Sequence, residues 1–173
     1  MKHLLSLGVL ISLGLLPGRC AAETGRAVIA GTATDSPIAG EAVLTETNDG
    51  LRITATVHHA PPGMHGFHIH EFGSCEDEGN AAGSHYNPEG AKHGDLLKDG
   101  VAGAHAGDLG NLVIARNGTG TYDEVFPELR LSGGSYTVGG RSLILHASPD
   151  DFGQPTGNAG KRIACGMILI TGH

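Results

Sequence analysis

The chain has 173 residues, with 11 Lys and Arg against 18 Asp and Glu and a formal net charge of −7 at pH 7. An acidic chain of this kind is not expected to bind nucleic acid or an anionic membrane surface. Its 29 Gly and 8 Pro, together with the absence of Trp, favour many tight turns and argue against long helices.

The N-terminus predicts an export signal at residues 1–22. Lys2 supplies a positive end, residues 4–16 form an apolar run, and residues 20–22 offer small side chains for cleavage. The apolar run is too short to span a bilayer comfortably, and no later segment is long or apolar enough to do so. Cleavage of the signal is therefore the interpretation that we favour.

A lipid anchor on Cys20 is the weaker alternative, because Arg19 is a poor residue directly before such a site. Cleavage leaves one domain at residues 23–173, with nine Lys and Arg against 18 acids and a net charge of −9. We expect this mature domain to be periplasmic or secreted and to have no contact with the membrane.

Strand patterns begin directly after the signal. Residues 26–32 and 41–47 have the composition of short strands. Residues 51–58 alternate apolar and polar side chains, which is the pattern of a strand with one buried face. His58 and His59 lie at the end of that strand beside prolines, and we interpret them as surface residues.

The strand predicted at residues 66–71 is the centre of the candidate site. His68 and His70 project to one face of it, while Phe67 and Ile69 project to the other. Two imidazoles held side by side on a rigid strand form half of a metal site. With 11 His in the chain, such a pair also arises by chance, so the prediction depends on residues further along.

A long segment with little periodicity follows at residues 72–104. A structureless loop of this length inside a compact domain is usually functional. It carries His85 and His93, and His105 and Asp108 follow at its exit. The last two residues alone are compatible with a simple turn. As a set of three His and one Asp, however, the four have the ligand types and number of a closed tetrahedral zinc site.

The second half of the chain continues with strands and a second irregular loop at residues 147–161. Strand composition recurs at residues 111–116, 121–126, 141–146 and 163–170. Asn117 and Gly118 predict a hairpin turn, and glycosylation of this Asn-Gly-Thr triplet is the weaker interpretation. No helical periodicity of useful length is found after the signal. About eight short strands therefore predict an all-β sandwich or barrel with two long loops that build a site.

Two cysteines remain after the signal has been removed. Cys75 lies in the first long loop and Cys165 lies in the last predicted strand. An even number of cysteines in an exported chain favours a disulfide, and two unpaired buried thiols are the alternative.

Several segments together resemble the motifs of the copper/zinc superoxide dismutases, in an exported form that is typical of bacteria. The segments are PGMHGFHIHEFG (62–73), GSHYNP (83–88), KHG (92–94), AGDLGN (106–111), LH (145–146) with DD (150–151), and GNAGKRIACG (157–166). They occur in the order of the family over essentially the whole mature chain, and jointly they are highly specific. The resemblance implies an eight-stranded Greek-key barrel, or flattened sandwich, with two long functional loops.

The resemblance also implies one copper and one zinc for each chain. The residues that match the copper ligands are His68, His70, His85 and His146. The residues that match the zinc ligands are His85, His93, His105 and Asp108, so that His85 is the imidazolate that bridges both metals. Four imidazoles serve copper in both of its redox states, whereas three imidazoles and a carboxylate suit redox-inert zinc.

Other residues match supporting positions of the family. Asp150 matches the carboxylate that hydrogen-bonds His68 and His93 and so fixes their ring orientation. Arg162 matches the arginine above the copper, whose permanent charge holds a small anion near the metal. His65 matches a structural histidine, and we expect it to be a framework residue.

The implied activity is the dismutation of superoxide anion to O2 and H2O2 by cyclic reduction and reoxidation of copper, an antioxidant defence outside the cytoplasm. The resemblance is compatible with a homodimer. A copper-buffering protein and a zinc hydrolase on the same scaffold are the alternatives. Arg162 argues against the first, since storage needs no anion-guiding cation. Three His and one Asp argue against a zinc hydrolase, because they fill all four zinc positions and leave none open for a water to be activated.

The chain departs from the better-known animal members of the family in two places. The segment between Asp151 and Thr156 is several residues shorter and lacks the charged residues expected there. An insertion lies between His93 and His105. The expected positive charges near the site are then Lys161 and Arg162, with Lys92 or Lys98 of the first loop as further candidates.

Overall fold

The computed structural model describes residues 22–172. The predicted export signal, except for Ala22, lies outside the described residues. The described residues form nine strands: β1 Thr24–Gly31, β2 Ala39–Thr47, β3 Gly50–His58, β4 Gly63–His70, β5 Asp108–Ile114, β6 Gly120–Phe126, β7 Ser142–His146, β8 Arg162–Met167 and β9 Leu169–Gly172. These strands correspond to the predicted runs, with small shifts at their ends.

Eight of the strands close into a barrel, because β1 pairs with β2 on one side and with β8 on the other. The order around the barrel is β1-β2-β3-β6-β5-β4-β7-β8, and neighbouring strands are antiparallel. β9 pairs with the beginning of β1. β8 and β9 are therefore the single strand predicted at residues 163–170, interrupted at Ile168. The predicted eight-stranded all-β barrel is confirmed.

Two connections give the barrel its Greek-key topology. The chain passes from β3 to β4 and from β6 to β7, and in each case it skips two intervening strands of the sheet. These crossings bring β4 and β7 together as neighbours. The histidines of the β4 strand therefore lie beside the end of β7, although more than 70 residues separate His70 from His146 in sequence.

The alternation of side chains places the apolar core inside the barrel. In β3, Leu51, Ile53 and Val57 are fully buried, whereas Arg52 is exposed. In β4, Phe67 and Ile69 are fully buried, and the Phe67 ring packs edge-on against Tyr122 of β6 at 5.2 Å between centroids. The apolar half of β4 thus anchors the strand that carries the candidate ligands.

The first long loop contains two short helical segments that the sequence analysis did not predict. A 3-10 helix spans Asp77–Ala82, and the helix α1 spans Leu96–Gly103. The Asp95 side chain accepts a hydrogen bond from Leu97 N and caps α1, as short polar side chains do at helix N-termini. Gly100 breaks the helical conformation inside this eight-residue segment, which leaves too few turns for a periodic signal. Among the described residues no helix is long and apolar enough to cross a membrane.

A disulfide ties the first loop to the barrel. Cys75 and Cys165 of β8 are bonded, with 5.7 Å between their Cα atoms and a sequence separation of 90. Ala82 of the loop and Ile144 of β7 pack beside the bridge. In the chain-entropy model a cross-link over such a span stabilises a fold by about 4–5 kcal/mol. The predicted disulfide is confirmed, and the alternative of two free thiols is wrong.

Candidate metal centre

The first cluster of the site is built from β4, β7 and the first loop. His68 and His70 project from β4 on the face opposite to Phe67. His146 ends β7, where a register shift turns it towards β4, and its Nε2 lies 3.3 Å from His70 Nε2. The backbone of His85 forms an isolated antiparallel β-bridge with that of His70, which brings the His85 side chain to the same cluster. One ligand atom from each of these four buried residues lies within 4.8 Å of the others.

The second cluster surrounds the Asp108 carboxylate at the start of β5. Oδ1 lies 2.8 Å from His85 Nδ1 and 3.1 Å from His105 Nδ1, and Oδ2 lies 2.9 Å from His93 Nδ1. The backbone N–H groups of Gly94 and His105 donate to Oδ2 at 3.0 and 2.9 Å. These bonds fix the carboxylate at the point where the three imidazoles converge.

His85 belongs to both clusters. Its Nδ1 faces Asp108, so its Nε2 remains for the cluster on β4 and β7. Its ring centroid lies 4.2 Å from that of His68 and 5.3 Å from that of His93. The structure therefore brings together all seven residues predicted as ligands, in two groups of four with one residue in common.

The hydrogen-bond pattern of these clusters fits bound metal ions. The Nδ1 atoms of His68 and His93 are fully buried and have no hydrogen-bond partner among the described residues. His93 Nδ1 is close to Asp108 Oδ2, but the geometry is not that of a hydrogen bond. Leaving a buried polar atom unpaired costs about 1–3 kcal/mol, which a protein tolerates where a ligand completes the site. Three imidazoles with one carboxylate suit zinc, and four imidazoles suit copper.

The Asp150 carboxylate supports both clusters from behind. It accepts hydrogen bonds from His68 Nε2 at 2.8 Å and from His93 Nε2 at 2.9 Å. Asn111 of β5 holds the Asp150 backbone, accepting from its N–H at 2.8 Å and donating to its carbonyl at 2.9 Å. A Cβ at Gly157 would lie 1.9 Å from Asp150 Oδ1, and the φ of +74° at this position also favours glycine. Asp150 thus contacts one histidine of each cluster.

The remaining histidines of the described range, His58, His59 and His65, have other surroundings. The two ring nitrogens of His65 each lie 2.8 Å from a carbonyl oxygen, of His146 and of Pro61, so neither is left for a metal. This contact agrees with the expected framework role. His58 and His59 are exposed, as predicted.

Burial keeps the imidazoles of His70, His85 and His146 neutral. It lowers the pKa of His70 to about 2, of His146 to about 3 and of His85 to about 4, and neighbouring imidazoles add to the effect. At His93 burial opposes the charged form, but Asp108 and Asp150 outweigh it and raise the pKa to about 9. Burial would raise the pKa of Asp108, but the ring nitrogens of His105, His85 and His93 around its carboxylate outweigh burial and hold that pKa far below its usual range. Neutral imidazoles beside ionised carboxylates form a site for cations.

A cleft of about 350 Å³ gives access to the first cluster, and His70, His85, His146 and Arg162 line it. Arg162 Nη1 donates to the Gly79 carbonyl at 2.5 Å and Nη2 donates to the Gly83 carbonyl at 2.6 Å. Among the described residues that line the cleft, Arg162 is the one cation. Lys98 forms an ion pair with Asp95 at 2.5 Å and does not line the cleft.

Three residues of the site were not singled out by sequence reasoning. Asn111 holds Asp150, Gln154 bonds the His93 backbone, and the Phe152 ring stacks on the His93 ring. Asn111 lies in the AGDLGN motif, which could have identified it. Gln154 and Phe152 lie in the shortened loop, where no pattern marks them.

Replacing Asp150 by Ala is expected to weaken both metal sites, because His68 and His93 lose the acceptor that orients them. Loss of a residue that hydrogen-bonds a metal ligand typically lowers the metal affinity by about 10–100-fold. Competition titrations with copper and zinc chelators measure the effect. Affinities equal to those of the parent protein would show that Asp150 does not orient the ligands.

Comparisons with known proteins agree with this geometry. The family model of the copper/zinc superoxide dismutases matches residues 38–168. Superoxide dismutase [Cu-Zn] 2 of Brassica juncea is 41% identical over 127 residues, which are 69% of this chain and 81% of the relative. The crystal structure of the clock protein EA4 superposes with a TM-score of 0.77 at 34% identity, over 91% of this chain and 100% of that chain. The chain therefore belongs to the copper/zinc superoxide dismutases, a family of metalloenzymes that use copper and zinc.

Proposed function

We propose that the mature chain dismutes superoxide to O2 and H2O2 with one copper and one zinc. The residues assigned to copper are His68, His70, His85 and His146. The residues assigned to zinc are His85, His93, His105 and Asp108. The observation that carries this assignment is the pair of buried four-residue clusters that share His85.

The two assigned metals would serve different purposes. When bound, copper supplies one-electron oxidation and reduction, and zinc supplies a fixed positive charge. In sum, two superoxide anions and two protons give one O2 and one H2O2. The protein therefore has to admit an anion to the first cluster, deliver protons there and keep its ligands in place through both half-reactions.

His85 is the group that we assign to proton delivery. Its Nδ1 is held by Asp108, so Nε2 can bind a metal or carry a proton without the ring turning. Nε2 would hold a proton whenever it is free of copper, and its place at the cleft would let it pass that proton to a bound anion. Water supplies the second proton. A fixed positive charge at the Asp108 side makes the ring easier to deprotonate.

Arg162 is the group that we assign to anion binding. Its Nη1 and Nη2 bonds to the 3-10 helix region fix the guanidinium at the cleft that opens on His70 and His146. β7 and β8 are paired at His146 and Arg162, so the cation and the ligand are positioned by one strand ladder. A copper-buffering protein has no use for a cation fixed at this place.

Export and an extracytoplasmic location remain part of the proposal. The predicted signal at residues 1–22 and the Cys75–Cys165 disulfide both support an oxidising compartment. N-terminal sequencing of the exported protein decides whether the mature chain starts at Glu23 or at a lipidated Cys20.

A homodimer is also part of the proposal. Val28 of β1, Met167 of β8 and Leu169 of β9 are 70%, 42% and 57% exposed on paired strands. Exposed apolar side chains gathered on one sheet face are typical of association surfaces. Sedimentation of the mature protein against a Leu169→Glu variant checks this assembly.

The function is tested on the purified mature protein by metal analysis and a superoxide dismutation assay. We expect one copper and one zinc for each chain and high activity. His85→Ala should uncouple the two metals, with a changed copper spectrum and a loss of most activity, because the shared ligand is gone. A variant with the parent's copper spectrum and full activity would contradict the assignment of His85 as a ligand shared by both metals.

Steering by Arg162 predicts the salt dependence of the enzyme. The net charge of −9 on residues 23–173 repels superoxide, so attraction has to come from local charge at the cleft. If Arg162 dominates, kcat/KM falls as salt rises, because screening acts over about 10 Å at 0.1 M. Arg162→Ala should slow capture by about tenfold without removing copper, and Arg162→Glu should slow it further.

The control for this prediction is Arg116→Ala, which removes the same charge from an exposed position between β5 and β6. It should leave kcat/KM nearly unchanged. A rate that rises with salt, or an Arg162→Glu variant as fast as the parent, would show that Arg162 does not guide the anion.

A further inference from the structure

The two departures of this chain from the better-known family members pack against each other. The inserted segment contains α1, and the Nζ of Lys98 on α1 lies 5.5 Å above the centre of the Phe152 ring. Phe152 belongs to the shortened second loop. Its ring stacks on the His93 imidazole, with 6.5 Å between centroids and an interplanar angle of 20°.

A second contact from the same loop reaches the backbone of His93. The Gln154 carboxamide accepts a hydrogen bond from His93 N at 3.1 Å and donates one to His93 O at 2.8 Å. One side chain thus satisfies both polar groups of that residue, as a neighbouring strand would.

His93 needs such support because of its position in the fold. His68, His70 and His146 lie in strands, Asp108 begins β5, and His85 forms a bridge with His70. His93 instead lies in a bend of the first loop. His105 also lies outside the strands, but its backbone is held locally by Asp108, whose Oδ2 accepts from His105 N and whose N–H donates to His105 O. The backbone of His93 is bonded instead to the side chain of Gln154.

We propose that Phe152 and Gln154 form a clamp that sets the backbone position and the ring orientation of His93. The two act as positioning residues for the zinc half of the site, and this proposal rests on the assignment of His93 as a zinc ligand. Gln154 fixes the backbone, and the Phe152 ring lies beside the imidazole and nearly parallel to it. Phe152 N also donates to Asp150 Oδ1 at 2.8 Å, and Asp150 accepts from His93 Nε2.

The clamp has a direct consequence for metal binding. With its backbone, ring face and Nε2 all held, His93 is left with Nδ1, which faces Asp108 Oδ2 and the candidate zinc position. A ligand ordered in advance loses little conformational freedom when the metal binds. We therefore expect the shortened loop to slow the loss of zinc, through the amide of Gln154 and the ring of Phe152.

The first experiment measures release of zinc and copper from the loaded protein into chelators. The variant is Gln154→Met, which keeps the length of the side chain and removes both hydrogen bonds. We expect zinc release about tenfold faster than in the parent, with a much smaller change for copper. Cobalt placed in the zinc half should show an altered visible spectrum. Phe152→Leu, which loses the stacked ring, should give a smaller effect in the same direction.

The matched control is Asn117→Ala. The side-chain amide of Asn117 also accepts a hydrogen bond from a backbone N–H group, that of Thr119 at 3.0 Å. Asn117, however, lies in an exposed turn between β5 and β6. Its zinc release should equal that of the parent. Equal zinc release in the parent and Gln154→Met, or equal acceleration for both metals, would overturn the clamp.

The second experiment separates the clamp from the zinc assignment. Hydrogen exchange at the His93 amide of the metal-free protein should be faster in Gln154→Met, because the acceptor is lost, and unchanged in Asn117→Ala. Exchange that is unaltered by the substitution would contradict the clamp. If zinc does not bind at the second cluster in the parent, the proposed function fails there, while the exchange result still decides whether Gln154 holds His93.

Discussion

The arrangement of the site depends on one buried carboxylate, that of Asp150. It is 3% exposed and accepts from the imidazoles of His68 and His93, which belong to different clusters. An ionised carboxylate in such surroundings is stable only with several donors, and here Phe152 N adds a third. Because Asn111 holds its backbone, Asp150 connects β4, β5 and both long loops at one point.

The charges of the buried groups explain why the site accepts cations inside an apolar barrel. Asp108 and Asp150 are ionised, and several surrounding imidazoles are kept neutral by burial. Two buried negative charges without enough positive partners would cost several kcal/mol each. The same charges attract metal ions strongly and so favour the loaded form of the protein. The cost of burying the carboxylates is thus offset when the metals bind.

The strands and the residues of the two clusters could be predicted from the sequence, because each has a local or motif signal. Alternation identified β3, and the histidine motifs identified the members of the clusters through the family resemblance. The α1 helix was missed, since Gly100 interrupts a segment of only eight residues. The break between β8 and β9 was also missed. It comes from Ile168, whose N–H bonds to the carbonyl of Arg141 rather than to a neighbouring strand.

The contacts of the second loop could not be predicted for a different physical reason. Gln154 acts by reaching a backbone more than 60 positions away, and such a contact has no periodicity or spacing. Phe152 adopts a φ of +60°, which is unusual for an aromatic residue and has no sequence signature. Long-range contacts between two irregular segments become visible only when the barrel has brought the segments together.

Closure of the barrel has a further consequence for aggregation. Each of β1 to β8 pairs with a strand on both sides, which limits the unpaired backbone that another chain could extend. Two of these contacts are narrow. β1 and β8 pair only through Ala30 and Gly31 with Cys165 and Ala164, and β5 and β6 pair only through Val113 and Ile114 with Thr121 and Gly120. Cys165 also anchors the first loop at the β1–β8 contact, so the disulfide supports one of these two narrow places. Reduction of the disulfide would therefore weaken the pairing of β1 with β8 and expose backbone groups of both strands to another chain.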